Sequence, residues 1–125
     1  MKALTIKQPW ASLIVNNYKK YEFRTWKTNY RGKVLIHAGK TIGNKDIYNK
    51  YDLEYLKGAI IGEAYITDCI QINSTFKKKL LEENEELYRN ANLNEYAWKL
   101  DKIKKYENPI YINGKLGLWN FKKML

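Results

Sequence analysis

Residues 4–26 read LTIKQPWASLIVNNYKKYEFRTW, and this stretch decides the fold. Two periodicities meet in it. Across residues 2–7, Ala3, Thr5 and Lys7 alternate with Leu4 and Ile6, which is the period of a strand. Gln8-Pro9 stops that strand, and proline is pre-organised for the first helical position. Residues 9–16 (PWASLIVN) then place Leu13 and Ile14 at i+3 and i+4 from Trp10, one face of a compact helix. Asn16-Asn17 ends it, because asparagine tolerates the left-handed cap conformation. Residues 21–26 return to a period of two: Tyr21, Phe23 and Thr25 point one way, Glu22, Arg24 and Trp26 the other.

The pattern continues outward. A turn at Tyr30-Arg31-Gly32 leads into a third strand at 33–38, and 43–56 reads as a short helix or irregular excursion. Gly58 opens what reads as the longest strand, 59–72. There Ile60, Ala64, Ile66, Ile70 and Ile72 share one face, and Ile61, Glu63, Tyr65, Thr67 and Cys69 the other. Ser74-Thr75 is the expected cap of a charged helix to about residue 89, with Leu80, Leu81 and Leu87 as its narrow apolar stripe. A strand at 95–106 puts Tyr96, Trp98 and Leu100 on one face. Residues 109–112, a turn at Asn113-Gly114 and residues 116–121 read as a closing hairpin. No crossover helix separates successive strands regularly, which argues against a doubly wound parallel sheet. The expectation is a mixed α/β (α+β) chain: one domain over 1–125, a small, mostly antiparallel β-barrel with peripheral short helices.

Composition bounds the function. The chain is 45% hydrophobic and 14% aromatic, enough for one core and too much for a disordered chain. The single cysteine, Cys69, excludes an internal disulfide framework and a cysteine-based zinc cluster. The start, MKALTIKQPW, lacks the apolar run of a signal peptide, and no stretch approaches the roughly 20 apolar residues of a membrane span. The expected compartment is therefore the cytoplasm, with no membrane partner. The net charge is +10 and it is uneven. Residues 1–40 carry nine basic groups and one acid, Glu22, while the remaining residues carry 14 basic and 12 acidic groups. A basic segment with interleaved aromatics (Trp10, Tyr18, Tyr21, Phe23, Trp26, Tyr30) suits a phosphate-bearing polyanion.

Several residues stand out as chemistry carriers. Glu22 and Arg24 share a strand face with Cβ atoms about 7 Å apart, and Lys19 sits where the helix hands over to that strand. Trp26 lies on the same face. Gln8 and Trp10 offer an amide edge and an indole of the kind that grips bases. His37 is the only histidine; with no second histidine and no Cys or Asp cluster nearby, no metal site is expected. Glu63 is a carboxylate in an apolar run and needs a cationic partner, for which Lys19 or Arg24 is available. A partly buried Lys–Glu pair is also how a general base is made. The chain has no Walker loop, GxGxxG, GxSxG or HExxH, so ATPase, dehydrogenase, serine hydrolase and zinc protease chemistries lack their defining residues, and no cofactor is expected.

These residues carry a resemblance. LTIKQPWASLIVNNYKKYEFRTW at 4–26, RGKVLIHAGK at 31–40, AIIGEAYITDC at 59–69 and NPIYINGKLGLWNF at 108–121 resemble the ASCH family of PUA-like domains. Its hallmark GxKxxExR is met by Lys19, Glu22 and Arg24, with Asn17 in place of the glycine, a mild change because asparagine is the next-best left-handed cap. The resemblance implies a PUA-like barrel with a cleft between the first helix and the barrel, and a role with RNA or modified nucleosides. One branch of the family hydrolyses acetylated cytidine with a lysine, a threonine and a glutamate. Lys19 matches that lysine and Glu63 that glutamate, while Glu22 stands where the threonine would be, and a carboxylate is no substitute for an acyl-transfer nucleophile. The expected ligand is RNA or a nucleotide or nucleoside, held by Gln8, Trp10, Lys19, Arg24, Trp26, Arg31, His37 and Lys40. The alternative is a small hydrolase using Lys19 with Glu22 or Glu63.

Overall fold

The structure, a computed structural model, describes residues 1–122, so the last three residues of the expected domain lie outside the described residues. The elements follow in the order β1 (Lys2–Gln8), α1 (Trp10–Val15), β2 (Tyr21–Arg24), β3 (Gly32–Ile42), α2 (Asp46–Tyr51), β4 (Ala59–Gln71), α3 (Ser74–Tyr88), β5 (Tyr96–Tyr111) and β6 (Leu118–Asn120). The strands form one sheet in the order β2-β5-β4-β3-β1-β6. β1 and β3 pair in parallel, and every other neighbouring pair is antiparallel. The chain is therefore mixed α/β with a mostly antiparallel sheet, as the strand spacing implied.

Alternation along β1 and β3 builds two apolar layers. Leu4 and Ile6 join Val34, Ile36, Trp98 and Leu100 on the inner face, where Ile14 and Val15 of α1 cover them. Ala3 and Leu35, paired across the strands, join Ile60 and Trp119 on the outer face. Each fully buried Leu or Ile contributes about 1.5–3 kcal/mol by leaving water, so a one-residue slip of either strand would exchange the layers. A third cluster joins Leu13 of α1 to α2 and α3 through Ile47, Leu80 and Leu87.

Five expectations are corrected. The sheet does not close into a barrel by backbone pairing, because β2 stops after four residues and forms an edge opposite β6. Side chains bridge the seam instead: Arg24 Nη2 donates to the Thr5 carbonyl at 2.6 Å. The alternation assigned to β4 fails because its register against β3 shifts between Ile36 and His37, which face Gly62 and Ile60 and leave Ile61 as an extra residue on β4. This bulge changes the phase, so Ile61 rather than Ile60 packs with Ala64 and Ile66. The longest strand is β5, at 16 residues against 13 for β4. The closing hairpin does not form: residues 109–111 continue β5, and β6 pairs with β1. The cap of α3 is Asn73, whose side chain accepts from the Phe76 N–H at 2.8 Å. That helix is also interrupted at Asn84 (φ −163°, ψ 98°), whose side chain caps the turn beyond by accepting from the Leu87 N–H at 3.1 Å.

Candidate nucleotide-binding cavity

The chain reverses sharply after α1. Asn17 adopts φ 68°, and the N–H groups of Tyr18 and Lys19 both return to the Leu13 carbonyl, at 2.9 and 3.2 Å. This left-handed turn, which asparagine accepts at little cost, delivers Lys19 beneath the start of β2. Glu22 and Arg24, two apart on β2, then face the same way. The three side chains meet on a cavity of about 530 Å³.

Their geometry is a buried ion triad. Lys19 Nζ stands 3.7 Å from Glu22 Oε1 and donates to the Tyr21 carbonyl at 2.7 Å. Arg24 Nη2 donates to Glu22 Oε2 at 2.9 Å. Lys19 is 3% exposed and Glu22 7%, so both charges are nearly out of water. The Lys19 ammonium also lies 4.5 Å from the Phe23 ring centre and 5.3 Å from that of Trp10. Burial pushes the Lys19 ammonium below its ordinary value of 10.5; the Glu22 carboxylate opposes that shift and Arg24 adds to it. Arg24 Nε is buried without a hydrogen-bond partner. A buried ion cluster adds little to stability, because desolvation offsets the attraction.

The walls are mixed. Trp10 and Phe23 add aromatic surface to the ionic floor. The β1 and β3 strands contribute Thr5, Lys7, Lys40 and Thr41, and the stretch from α3 to β5 contributes Leu87, Asn90 and Glu95. Leu116, between β5 and β6, completes the lining.

The structure thus brings together Trp10, Lys19, Glu22, Arg24 and Lys40 from the residues singled out in the sequence. It does not bring the others. Gln8 is fully buried, and its amide is spent within the fold: Nε2 donates to Ser12 Oγ and to the Leu56 carbonyl, both at 2.7 Å, and Oε1 accepts from the Ser12 N–H. Trp26 lies just past the end of β2, edge-on to Trp98 with ring centres 4.6 Å apart. Arg31 donates to the carbonyls of Thr28 and Tyr30. His37 is buried on the outer side, where Nε2 donates to the Ile112 carbonyl at 2.7 Å.

Glu63 is the clearest departure. Its cationic partner is Lys33, at 3.1 Å, and it accepts from the Tyr106 hydroxyl at 2.9 Å; neither Lys19 nor Arg24 reaches it. It is paired in register with Leu35, on the outer layer. Burial pushes the Glu63 carboxyl up, but Tyr106, Lys33 and Lys104 together outweigh it and hold the group below its ordinary 4.5.

Sequence reading missed Lys7, Phe23, Glu95 and Leu116 as cavity residues. Lys7 was accessible to it, being in phase with Thr5 on β1. Leu116 is not, because residues 116–121 read as a strand in sequence. Among the described residues no group of three or more His, Cys, Asp and Glu side chains is arranged to hold a metal ion, and no helix is long and apolar enough to cross a membrane.

Comparison with known proteins gives a consistent family. Activating signal cointegrator 1 of Homo sapiens is 27% identical over 99 residues, covering 66% of this chain and 16% of that protein. The Mus musculus protein of the same name is 31% identical over 83 residues, covering 54% and 14%. The chain therefore spans a small part of the length of these relatives. Among solved structures, the crystal structure of ASCH from Zymomonas mobilis superposes with a TM-score of 0.64 at 15% identity, covering 98% of this chain and 87% of that one. A point-mutant structure of that protein gives 0.61, also at 15% identity, with 98% and 90% covered. At such identity the likeness shows the fold. The sequence model of the ASCH domain matches residues 4–112, most of the chain. The chain belongs to the ASCH domain family.

Proposed function

We propose that this chain is a binding module for RNA or a nucleotide, with the base held in the cavity of Lys19, Glu22 and Arg24. The observation that supports it is the buried ion triad beneath an aromatic and lysine-bearing wall. Glu22 holds one cation on each oxygen, and each carboxylate oxygen has about two acceptor sites, so it can still accept from the N–H edge of a base. Lys19 and Arg24 supply donors for base carbonyls and ring nitrogens, and Trp10 and Phe23 supply apolar surface. In this reading Lys7 and Lys40, which line the cavity, would meet phosphates, and Arg31 and the exposed Trp26 would carry a strand onward over the basic segment. PUA-like domains are of a kind linked to RNA binding, which agrees with this reading, and a cytoplasmic site of action suits it.

Fluorescence anisotropy with a short labelled single-stranded RNA tests the reading. Binding should weaken steeply with salt, by a logarithmic slope of about 0.7 per phosphate contacted. No salt-sensitive binding would overturn it.

A second reading, hydrolysis of a nucleoside derivative or RNA, is favoured by one feature: burial depresses the proton affinity of Lys19 beside a carboxylate. In that reading Glu22 is the partner, since Glu63 is engaged with Lys33 and Tyr106. Chromatography of acylated nucleosides and short RNAs after incubation decides it. Turnover abolished by Lys19→Ala supports this site; turnover that survives the change excludes it.

A further inference from the structure

We infer that Leu116 is a fixed apolar cover for the base of a bound nucleotide, a role that rests on the binding reading above. Leu116 is 95% exposed, yet it lines the cavity. A lone exposed leucine is ordinary on a protein surface. This one differs because the chain on both sides of it is tied down.

Before it, the Ile112 carbonyl accepts from His37 Nε2 at 2.7 Å, and Asn113 Oδ1 accepts from Lys40 Nζ at 3.0 Å. Gly114 is pressed so close to the outer layer that a Cβ on it would stand 2.5 Å from the His37 ring and 2.8 Å from Thr5 Oγ1. After it, the Gly117 carbonyl accepts from the Thr5 N–H at 3.3 Å, and a Cβ on Gly117 would stand 3.5 Å from the Trp26 ring. Gly117 has φ +66°, a conformation that turns the chain into β6 and that a larger residue would strain.

The strap over 112–117 therefore holds a leucine side chain out in water at the edge of a cavity, with little freedom to withdraw it. Exposure of that surface is unfavourable until something apolar lies against it. The anchoring has already removed much of the ordering cost that a mobile loop would meet on binding. Two of the anchors, Thr5 and Lys40, themselves line the cavity, so the strap and the cavity wall are positioned as one unit. The face of a nucleobase has the required chemistry, and the Lys40 ammonium beside the strap suits the phosphate of the same nucleotide.

Leu116→Ala and Leu116→Met test this, measured with a short labelled single-stranded RNA and with an abasic oligonucleotide of the same length. Because Leu116 packs against almost nothing in the fold, both variants should unfold at the wild-type temperature. Leu116→Ala should bind the RNA about tenfold more weakly, Leu116→Met should restore most of that, and the abasic strand should bind all three proteins alike. If Leu116→Ala binds the RNA as the wild type does, or weakens the abasic strand equally, the inference is overturned while the binding reading stands. A lowered melting temperature would contradict its premise. If the wild type binds no RNA at all, both fall.

Discussion

Arg24 Nη2 donates at once to the Thr5 carbonyl at 2.6 Å and to Glu22 Oε2 at 2.9 Å, so one amino group ties the edge strand β2 to β1 and to the ion triad. The seam that backbone pairing leaves open is held there. Replacing Arg24 with methionine removes both bonds and leaves Glu22 buried with only Lys19, at 3.7 Å. Bonds to charged groups contribute about 1.5–3 kcal/mol, and breaking a buried pair costs more than never having it. Arg24→Met should therefore lower stability by roughly 2–4 kcal/mol in chemical denaturation. A loss under about 0.5 kcal/mol, typical of surface positions, would mean the seam does not depend on Arg24.

Gly62 is a point of close approach on β4. A Cβ there would stand 2.6 Å from the Lys104 carbonyl oxygen and 2.7 Å from Val15 Cγ1. The first of these is backbone in the neighbouring strand and cannot swing aside. Gly62→Ala should cost about 1–3 kcal/mol or more by overpacking, read from the midpoint of urea unfolding. An unchanged midpoint would show that α1 and β5 can part without penalty.

The Glu63–Tyr106 bond has a pH signature at both ends. The Glu63 carboxyl sits below its ordinary 4.5 in the fold, so its contribution is present above that value and is lost as pH falls through the lowered one. The Tyr106 hydroxyl is pushed up to about 12, by burial and then by Glu63. Its contribution is complete below about 10, the unfolded value, and is lost as pH rises through about 12. Glu63→Gln should be less stable than wild type at neutral pH, with the gap closing in acid, and its Tyr106 should ionise at lower pH in ultraviolet titration. A stability gap that persists in acid would assign the effect to packing.

Lys19 should lose its proton below the ordinary lysine value of 10.5, because burial disfavours its charged form more than Glu22 restores it. Carbon-13 NMR of its ε-carbon through an alkaline titration checks this. Glu22→Gln removes the main charge that opposes the shift, so the midpoint should move lower still. A midpoint at or above 10.5 would mean the ammonium is solvated.

The core of β1, α1 and β2 was legible because each element carries its own periodicity over a few residues. The same holds for the inward set Tyr96, Trp98 and Leu100 on β5. What failed was non-local. A bulge on β4 against β3, at Ile61, resets an alternation that the residues themselves do not mark, which put Ile60 in the wrong layer. β6 pairs with β1 across almost the full chain length, and nothing near Asn113-Gly114 distinguishes that from a hairpin. For the site, Lys19, Glu22 and Arg24 were legible because they are sequence neighbours. The partner of Glu63 was not, because β3 places Lys33 beside it through strand pairing. Gln8 has a binding amide in sequence, but its burial against Ser12 and Leu56 is a tertiary fact.

In the proposed function the base of an RNA strand enters the cavity floored by Lys19, Glu22 and Arg24. Four tryptophans report on it, and of these Trp10 lines that cavity. Proton–nitrogen NMR of the indole N–H groups during titration with a short single-stranded RNA reads them separately. The Trp10 resonance should move progressively to saturation, and Lys19→Ala should abolish the movement while the protein stays folded. RNA that saturates the protein with the Trp10 resonance unmoved would contradict it.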